Sequence, residues 1–148
     1  MMIAYLTPLY VPQIVRVIHE SVKEYIGKIN PPLSAHSETK GNLYDTMQTA
    51  IAVIDDNGSL AGCVLLMIDQ RGVRITRLSV LPEHRGRNLA GSLLRSAEAF
   101  SLRAKQKRIF SFINKKLPHL KEVYGRCGYT LAIEQNRENY WLVEKFLE

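Results

Sequence analysis

Cysteine is scarce in this 148-residue chain: there are two, Cys63 and Cys127, lying 64 positions apart with no CxxC pair and no histidine at ligand spacing. That spacing excludes a disulfide framework and a zinc motif, so both are read as reduced packing residues. The histidines, His19, His36, His84 and His119, stand singly, and no metal site is expected. Long apolar runs are lacking too. The stretch from Leu60 to Ile68 is far too short to cross a bilayer. The opening MMIAYLTPLY has no charged-then-apolar secretory layout, which points to a cytoplasmic protein with no membrane partner. Internal repeats and low-complexity tracts are missing as well.

Acidic residues run short in one part of the chain. Residues 1–60 hold four Lys/Arg against six Asp/Glu, whereas residues 61–148 hold sixteen against eight, giving −2 and +8 within a net charge of +6. A basic half of this size favours a polyanion, either nucleic acid or a phosphorylated cofactor. With 46% apolar residues, the length suits one globular domain, residues 1–148, with a proper core.

Periodicity supplies the elements. Ile14, Val17, Ile18, Val22, Tyr25 and Ile26 recur at steps of three and four, predicting an amphipathic helix between Leu9 and Ile26. A loop rich in Gly, Pro, Ser and Asn follows, then a short helix around Leu43 to Thr49. Three β-rich runs, AIAVIDD, SLAGCVLLMID and VRITRLSVL, are joined by turn signals at Asn57-Gly58 and Arg71-Gly72, which predicts an antiparallel meander. Leu89, Leu93, Ala97 and Phe100 then mark a helix to about residue 104. KRIFSFIN returns as a strand parallel to VRITRLSVL through a right-handed crossover. LPHLKEVYGRCGY reads as a helix with Pro118 in its first turn and Gly128 at C′, before two last β runs, YTLAIEQ and NYWLVEKFL. The fold class is α+β with one central βαβ unit. NYWLVEKFL is apolar enough to allow edge-to-edge pairing, so monomer and homodimer both stay open.

The stretch PEHRGRNLAGSLL, residues 82–94, crowds arginines at a helix N-terminus that already carries partial positive charge, so an anion is expected there. A Walker A loop is excluded because Ser92 stands where the lysine is required, and no GxGxxG is present. What remains is a tight turn whose unpaired backbone N–H groups face an anion, with Gly86 allowing close approach and Asn88 able to turn left-handed.

Arg85-Gly86-Arg87-Asn88-Leu89-Ala90, after a strand ending LSVLP, resembles the Q/R-x-x-G-x-G/A signature of the GNAT superfamily of acyl-CoA N-acyltransferases. Tyr124-Gly125-Arg126-Cys127-Gly128-Tyr129 is similar to that family's Y-x-x-x-G-F segment. The order of elements matches over nearly the whole chain. The resemblance implies a GNAT fold: a mixed, mostly antiparallel central sheet of six to seven strands flanked by helices. It further implies that backbone groups of Leu78, Ser79 and Val80 run beside the pantetheine arm and acyl carbonyl of acetyl-CoA. The amides from Arg85 through Gly86, Arg87, Asn88, Leu89, Ala90 and Gly91 to Ser92 would cradle the CoA pyrophosphate, with both arginine side chains near its phosphates. Tyr124 would protonate the leaving thiolate. The sequence departs from the family at Asn88, usually glycine, and at Leu117, where the family often has Asn; Asn114 offers an alternative contact.

Transfer of an acetyl group to an amine also needs a base, and VRITRLSVL carries no carboxylate. Ordered water, a histidine, Glu122 or an amine that arrives with a low pKa of its own are the alternatives. Arg74 and Arg77 either attract an acidic acceptor or face water, and facing water is the simpler reading. Tyr124 could instead only pack the last helix onto the sheet. The expected activity is acetyl-CoA-dependent N-acetylation of an amine on a small molecule, protein or peptide, the acceptor itself being unreadable. Two other readings are carried beside it: an RNA-binding member or one that acetylates aminoacyl-tRNA, and a catalytically silent CoA binder. No RGG tract or aromatic stacking platform supports nucleic acid, which is not favoured.

Overall fold

The computed structural model describes residues 1–29, 33–46, 49–132 and 137–148. Seven strands form one mixed sheet: β1 (Met2–Leu6), β2 (Thr49–Ile54), β3 (Leu60–Asp69), β4 (Gly72–Val80), β5 (Arg108–Asn114), β6 (Thr130–Leu131) and β7 (Tyr140–Phe146), in spatial order β1-β2-β3-β4-β5-β7-β6. The predicted meander is β2-β3-β4, antiparallel throughout, and its turns hold Gly58 and Gly72 at positive φ. The strand after the crossover, β5, runs parallel to β4 as expected.

Among the described residues four helices flank the sheet: α1 (Val11–Val22), α2 (Lys40–Thr46), α3 (Leu89–Arg103) and α4 (Pro118–Arg126). Each side of the sheet has its own core. Val17 and Ile18 of α1 pack with Ala52, Cys63 and Leu65 on one face. Leu93, Leu94 and Ala97 of α3 and Tyr124 of α4 pack with Val64, Leu66, Val73 and Ile75 on the other. Helices on both faces explain why β3 is buried without alternation from Leu60 to Leu66. Each such leucine taken from water contributes roughly 1.5–3 kcal/mol.

Several boundaries differ from the sequence reading. The first helix stops at Val22 and continues as a 3-10 turn at Lys23–Tyr25, and α2 begins at Lys40 rather than Leu43. β1 was not expected at all: it is a short edge strand with Met2 and Tyr5 half or more exposed, so its five residues carry no burial pattern to read. YTLAIEQ gives a strand only at Thr130–Leu131, and residues 133–136 lie outside the described residues. β7 is not an edge, because β5 pairs along its whole length and β6 covers Val143 and Glu144.

The feature that positions the site is the seam between β4 and β5. Pairing is confined to Val73↔Ile109 and Arg74↔Phe110, after which the strands part. The closed end is tight: a Cβ on Gly72, at φ 126°, would lie 2.3 Å from the Arg108 carbonyl oxygen. Beyond it the sheet opens into a V.

Candidate active site

The V leads into a cavity of about 850 Å³ lined by β4, β5, the 82–91 loop, the start of α4 and the segment after α1. β4 carries a bulge there. Cys63 pairs with Ser79 and Leu65 with Thr76, so Val64 faces both Arg77 and Leu78. Arg77 takes up the extra residue in a left-handed conformation, φ 53°. Gly62, next to Cys63 on β3, makes room for it, since a Cβ there would sit 2.7 Å from the Ser79 carbonyl oxygen. Leu78, Ser79 and Val80 therefore line the cavity with one edge held by β3 and no β5 partner on the other. An open strand edge of this kind can accept an extended ligand through its backbone groups.

The loop after β4 ends in two left-handed positions. Gly86 sits at φ 83° and Asn88 at φ 57°, ψ 31°, left-handed at the N-cap of α3. The first bond inside α3 runs from the Ser92 N–H to the Asn88 carbonyl, 3.2 Å, so the N–H groups of Leu89, Ala90 and Gly91 have no acceptor within the helix. No side chain caps the end and no acidic residue stands in its first turn. Gly91 lets the Asn88 side chain fold over the turn, because a Cβ would lie 2.5 Å from Asn88 Oδ1. Asn88 thus fills the family's glycine position by adopting the glycine conformation, which it tolerates better than most residues. An uncapped helix start of this form fits a pyrophosphate.

The arginines of that loop behave differently from their backbone. Arg85 is turned back to α1: its guanidinium donates to Glu24 at 2.5 Å and to the Ser21 carbonyl at 2.8 Å. Arg87 is exposed and, like Ser92, does not line the cavity, whereas Arg85, Gly86 and Asn88 through Gly91 do.

At the bottom of the V, Ser111 of β5 donates to the Ile75 carbonyl of β4 at 2.9 Å, bridging the strands one residue beyond their last backbone pair. The Tyr124 hydroxyl is hydrogen-bonded to Ser111. Tyr124 is only 2% exposed yet lines the cavity, and its ring meets Tyr129 edge-on at 5.2 Å. Burial pushes its pKa up, with the Ser111 hydrogen bond pulling the other way. The hydroxyl therefore keeps its proton through neutral pH. Its helix closes as predicted: Gly128 takes φ 89° at C′, and the Tyr129 N–H reaches the Tyr124 carbonyl at 3.1 Å.

Asn114 lines the cavity at the end of β5, but its Oδ1 accepts the Lys116 N–H at 2.9 Å and so shapes the turn into α4. Of the candidate bases, Glu122 is exposed and ion-paired with Arg126 at 3.6 Å, outside the cavity lining. His84 and His119 do line it. Burial, reinforced by the charge of Arg85, lowers the pKa of His119, favouring a neutral ring that stacks on Tyr25. Among the described residues no group of three or more His, Cys, Asp or Glu could hold a metal, and no helix is long and apolar enough to cross a membrane.

The sequence reading missed the bulge and the residues around it. Arg77 does not merely face water; it donates to Glu38 at 3.2 Å and Ser34 at 2.7 Å, tying the segment before α2 to β4. Only Gly62, a glycine inside a buried strand opposite the bulge, could have signalled it.

A family model described as an acetyltransferase (GNAT) domain matches residues 48–131. No curated protein matches the chain. Among solved structures, the PaiA N-acetyltransferase of Thermoplasma acidophilum in complex with coenzyme A superposes with a TM-score of 0.83 at 18% identity, covering 99% of each chain. The putative acetyltransferase YncA of Salmonella typhimurium with acetyl-CoA gives 0.76 at 13% identity, over 100% of this chain and 94% of that one. Mutant forms of the spermidine/spermine N-acetyltransferase SpeG of Vibrio cholerae give 0.68 at 17% identity, over 98% and 93%. At such identities the structures speak for the fold alone. The matched stretch, however, spans more than half of the sequence and takes in the bulged strand, the uncapped helix and Tyr124. The chain belongs to the GNAT acetyltransferase family.

Proposed function

We propose that this acyltransferase is an acetyl-CoA-dependent N-acetyltransferase that moves the acetyl group directly to a primary amine of a small molecule, protein or peptide. The observation that carries the reading is the alignment along one cavity of an uncapped helix start, an open strand edge and a buried, protonated tyrosine. The α3 N–H groups and Gly86 suit the pyrophosphate, and the free edge at Leu78, Ser79 and Val80 suits the pantetheine arm and polarises the acyl carbonyl. In the transfer the amine nitrogen bonds to the acetyl carbon, the C–S bond breaks, and the sulfur leaves as a thiolate. Tyr124 gives that thiolate a proton, while the amine loses one to water or to a cavity histidine.

The test is a turnover screen of acetyl-CoA over amines, peptides and charged tRNA, with a thermal-shift assay alongside. At a hundred times its Kd, acetyl-CoA should add about 2.7 kcal/mol of stability. Tyr124→Phe should lower kcat about a hundredfold while leaving the KM for acetyl-CoA within about twofold. Because burial raises the tyrosine's pKa, the acid form persists at every lower pH, and loss of kcat from its ionisation should begin only above about pH 10. An unchanged kcat in Tyr124→Phe would remove the acid role. Binding of acetyl-CoA without turnover on any acceptor would leave a silent CoA binder, and salt-sensitive retention of tRNA would favour an RNA-directed member.

A further inference from the structure

Five arginines line the cavity, and no aspartate or glutamate does so among the described residues. Three of the five have carboxylate partners just outside it: Arg85 with Glu24, Arg77 with Glu38 and Arg126 with Glu122. Arg74 of β4 and Arg137, which precedes β7, form no ion pair among the described residues. They come from places 63 positions apart in the sequence and converge on one ring. The guanidinium carbon of Arg74 lies 5.2 Å from the centroid of Phe112, and that of Arg137 lies 4.2 Å from it.

This arrangement is costly as it stands. The Arg74 Nε is buried with no hydrogen-bond partner among the described residues. An unpaired buried donor on a charged group is unfavourable, and so is bringing two like charges together. Burial, followed by the charges of Arg71 and Arg137, depresses the pKa of Arg74. A group held in this way is complementary to something anionic.

The position says which anion. Arg74 is the residue before Ile75, whose carbonyl holds Ser111 and through it Tyr124. It is six residues from Val80, so about 20 Å of strand separates it from the loop that opens α3. The pair therefore stands beside the reacting centre, away from the helix start that suits the pyrophosphate. We propose that Arg74 and Arg137 form an anion subsite of the acceptor pocket, and that the acceptor is a small primary amine carrying an anionic oxygen group, such as a carboxylate. Two guanidinium groups over one ring offer paired donors that match such a group better than a single ammonium would. The inference rests on the acetyl-transfer reading given above.

Matched amine pairs test it with the full-length protein and acetyl-CoA. Lysine against cadaverine adds a carboxylate to one diamine, and O-phosphoethanolamine against ethanolamine adds a phosphate; the two pairs separate the sources of negative charge. In at least one pair the anionic member should show kcat/KM at least tenfold higher. Equal or better use of the amine without the anionic group in both pairs would overturn the subsite while leaving N-acetylation standing. R137Q, on an exposed segment, should cut the preference about tenfold with the KM for acetyl-CoA unchanged. R74Q should do the same, with R74K restoring part of it; if R74Q fails to fold, R137Q decides. Should no amine be acetylated, the transfer reading fails, and binding judges the subsite. In that case malonate in the presence of CoA should raise the Tm of the unmodified protein and not that of R137Q, and an equal shift or none would overturn it.

Discussion

The two ends of the cavity are both electropositive, and they are built in opposite ways. At the α3 end the positive potential belongs to the backbone: three N–H groups without helix acceptors, a left-handed Asn88 and an absent acidic cap, while Arg85 is drawn off to Glu24. At the β4 end it belongs to side chains, Arg74 and Arg137 over Phe112, which form no ion pair among the described residues. A backbone cradle depends on conformation and tolerates many side chains. An arginine pair depends on identity and is indifferent to small backbone shifts. The first suits a ligand common to a whole family, and the second suits a ligand particular to one member.

The largest effect at the α3 end should therefore come from a change that alters backbone conformation without touching charge. Asn88→Val places a β-branched residue at φ 57°, where it is a genuine outlier costing of order 1–3 kcal/mol. The KM for acetyl-CoA should rise about ten- to a hundredfold, with the KM for the acceptor unmoved. Asn88→Gly should bind acetyl-CoA at least as well as the natural residue. Equal behaviour of the two variants would mean that the turn is not what holds the pyrophosphate.

The same contrast explains what could be read from sequence. The α3 end was legible because its residues are contiguous: strand, Arg85 to Ala90, then a helical period, with the left-handed position falling on a residue type that accepts it. Gly128 and Tyr124 were legible for the same local reason, since a helix end and its glycine are neighbours in the chain. The β4 end was not, because Arg74, Phe112 and Arg137 meet only through the sheet order β4-β5-β7. Read along one strand, Arg74 and Arg77 look alike, yet the bulge sends Arg77 to Glu38 and leaves Arg74 over Phe112. β1 escaped notice through lack of burial, and Arg77's left-handed backbone through lack of a glycine.

Arg85 gives the smallest expected effect and the finest test of the comparison. Its side chain is 42% exposed and that of Glu24 is 47% exposed, and such pairs contribute at most about 1 kcal/mol. If its guanidinium stays with α1, Arg85→Gln should raise the KM for acetyl-CoA less than about threefold, because the N–H groups proposed to hold the phosphates are untouched. Glu24→Gln separates two versions of this outcome. With the carboxylate gone, Arg85 is free to swing toward the α3 opening, and acetyl-CoA should bind equally well or up to a few fold better. A rise of more than about tenfold in Arg85→Gln would show instead that the arginine leaves Glu24 when CoA arrives, and that this end also depends on a side chain. The distinction between the two ends would then be one of degree, with Arg85 and Arg74 doing the same kind of work on different parts of the reactants.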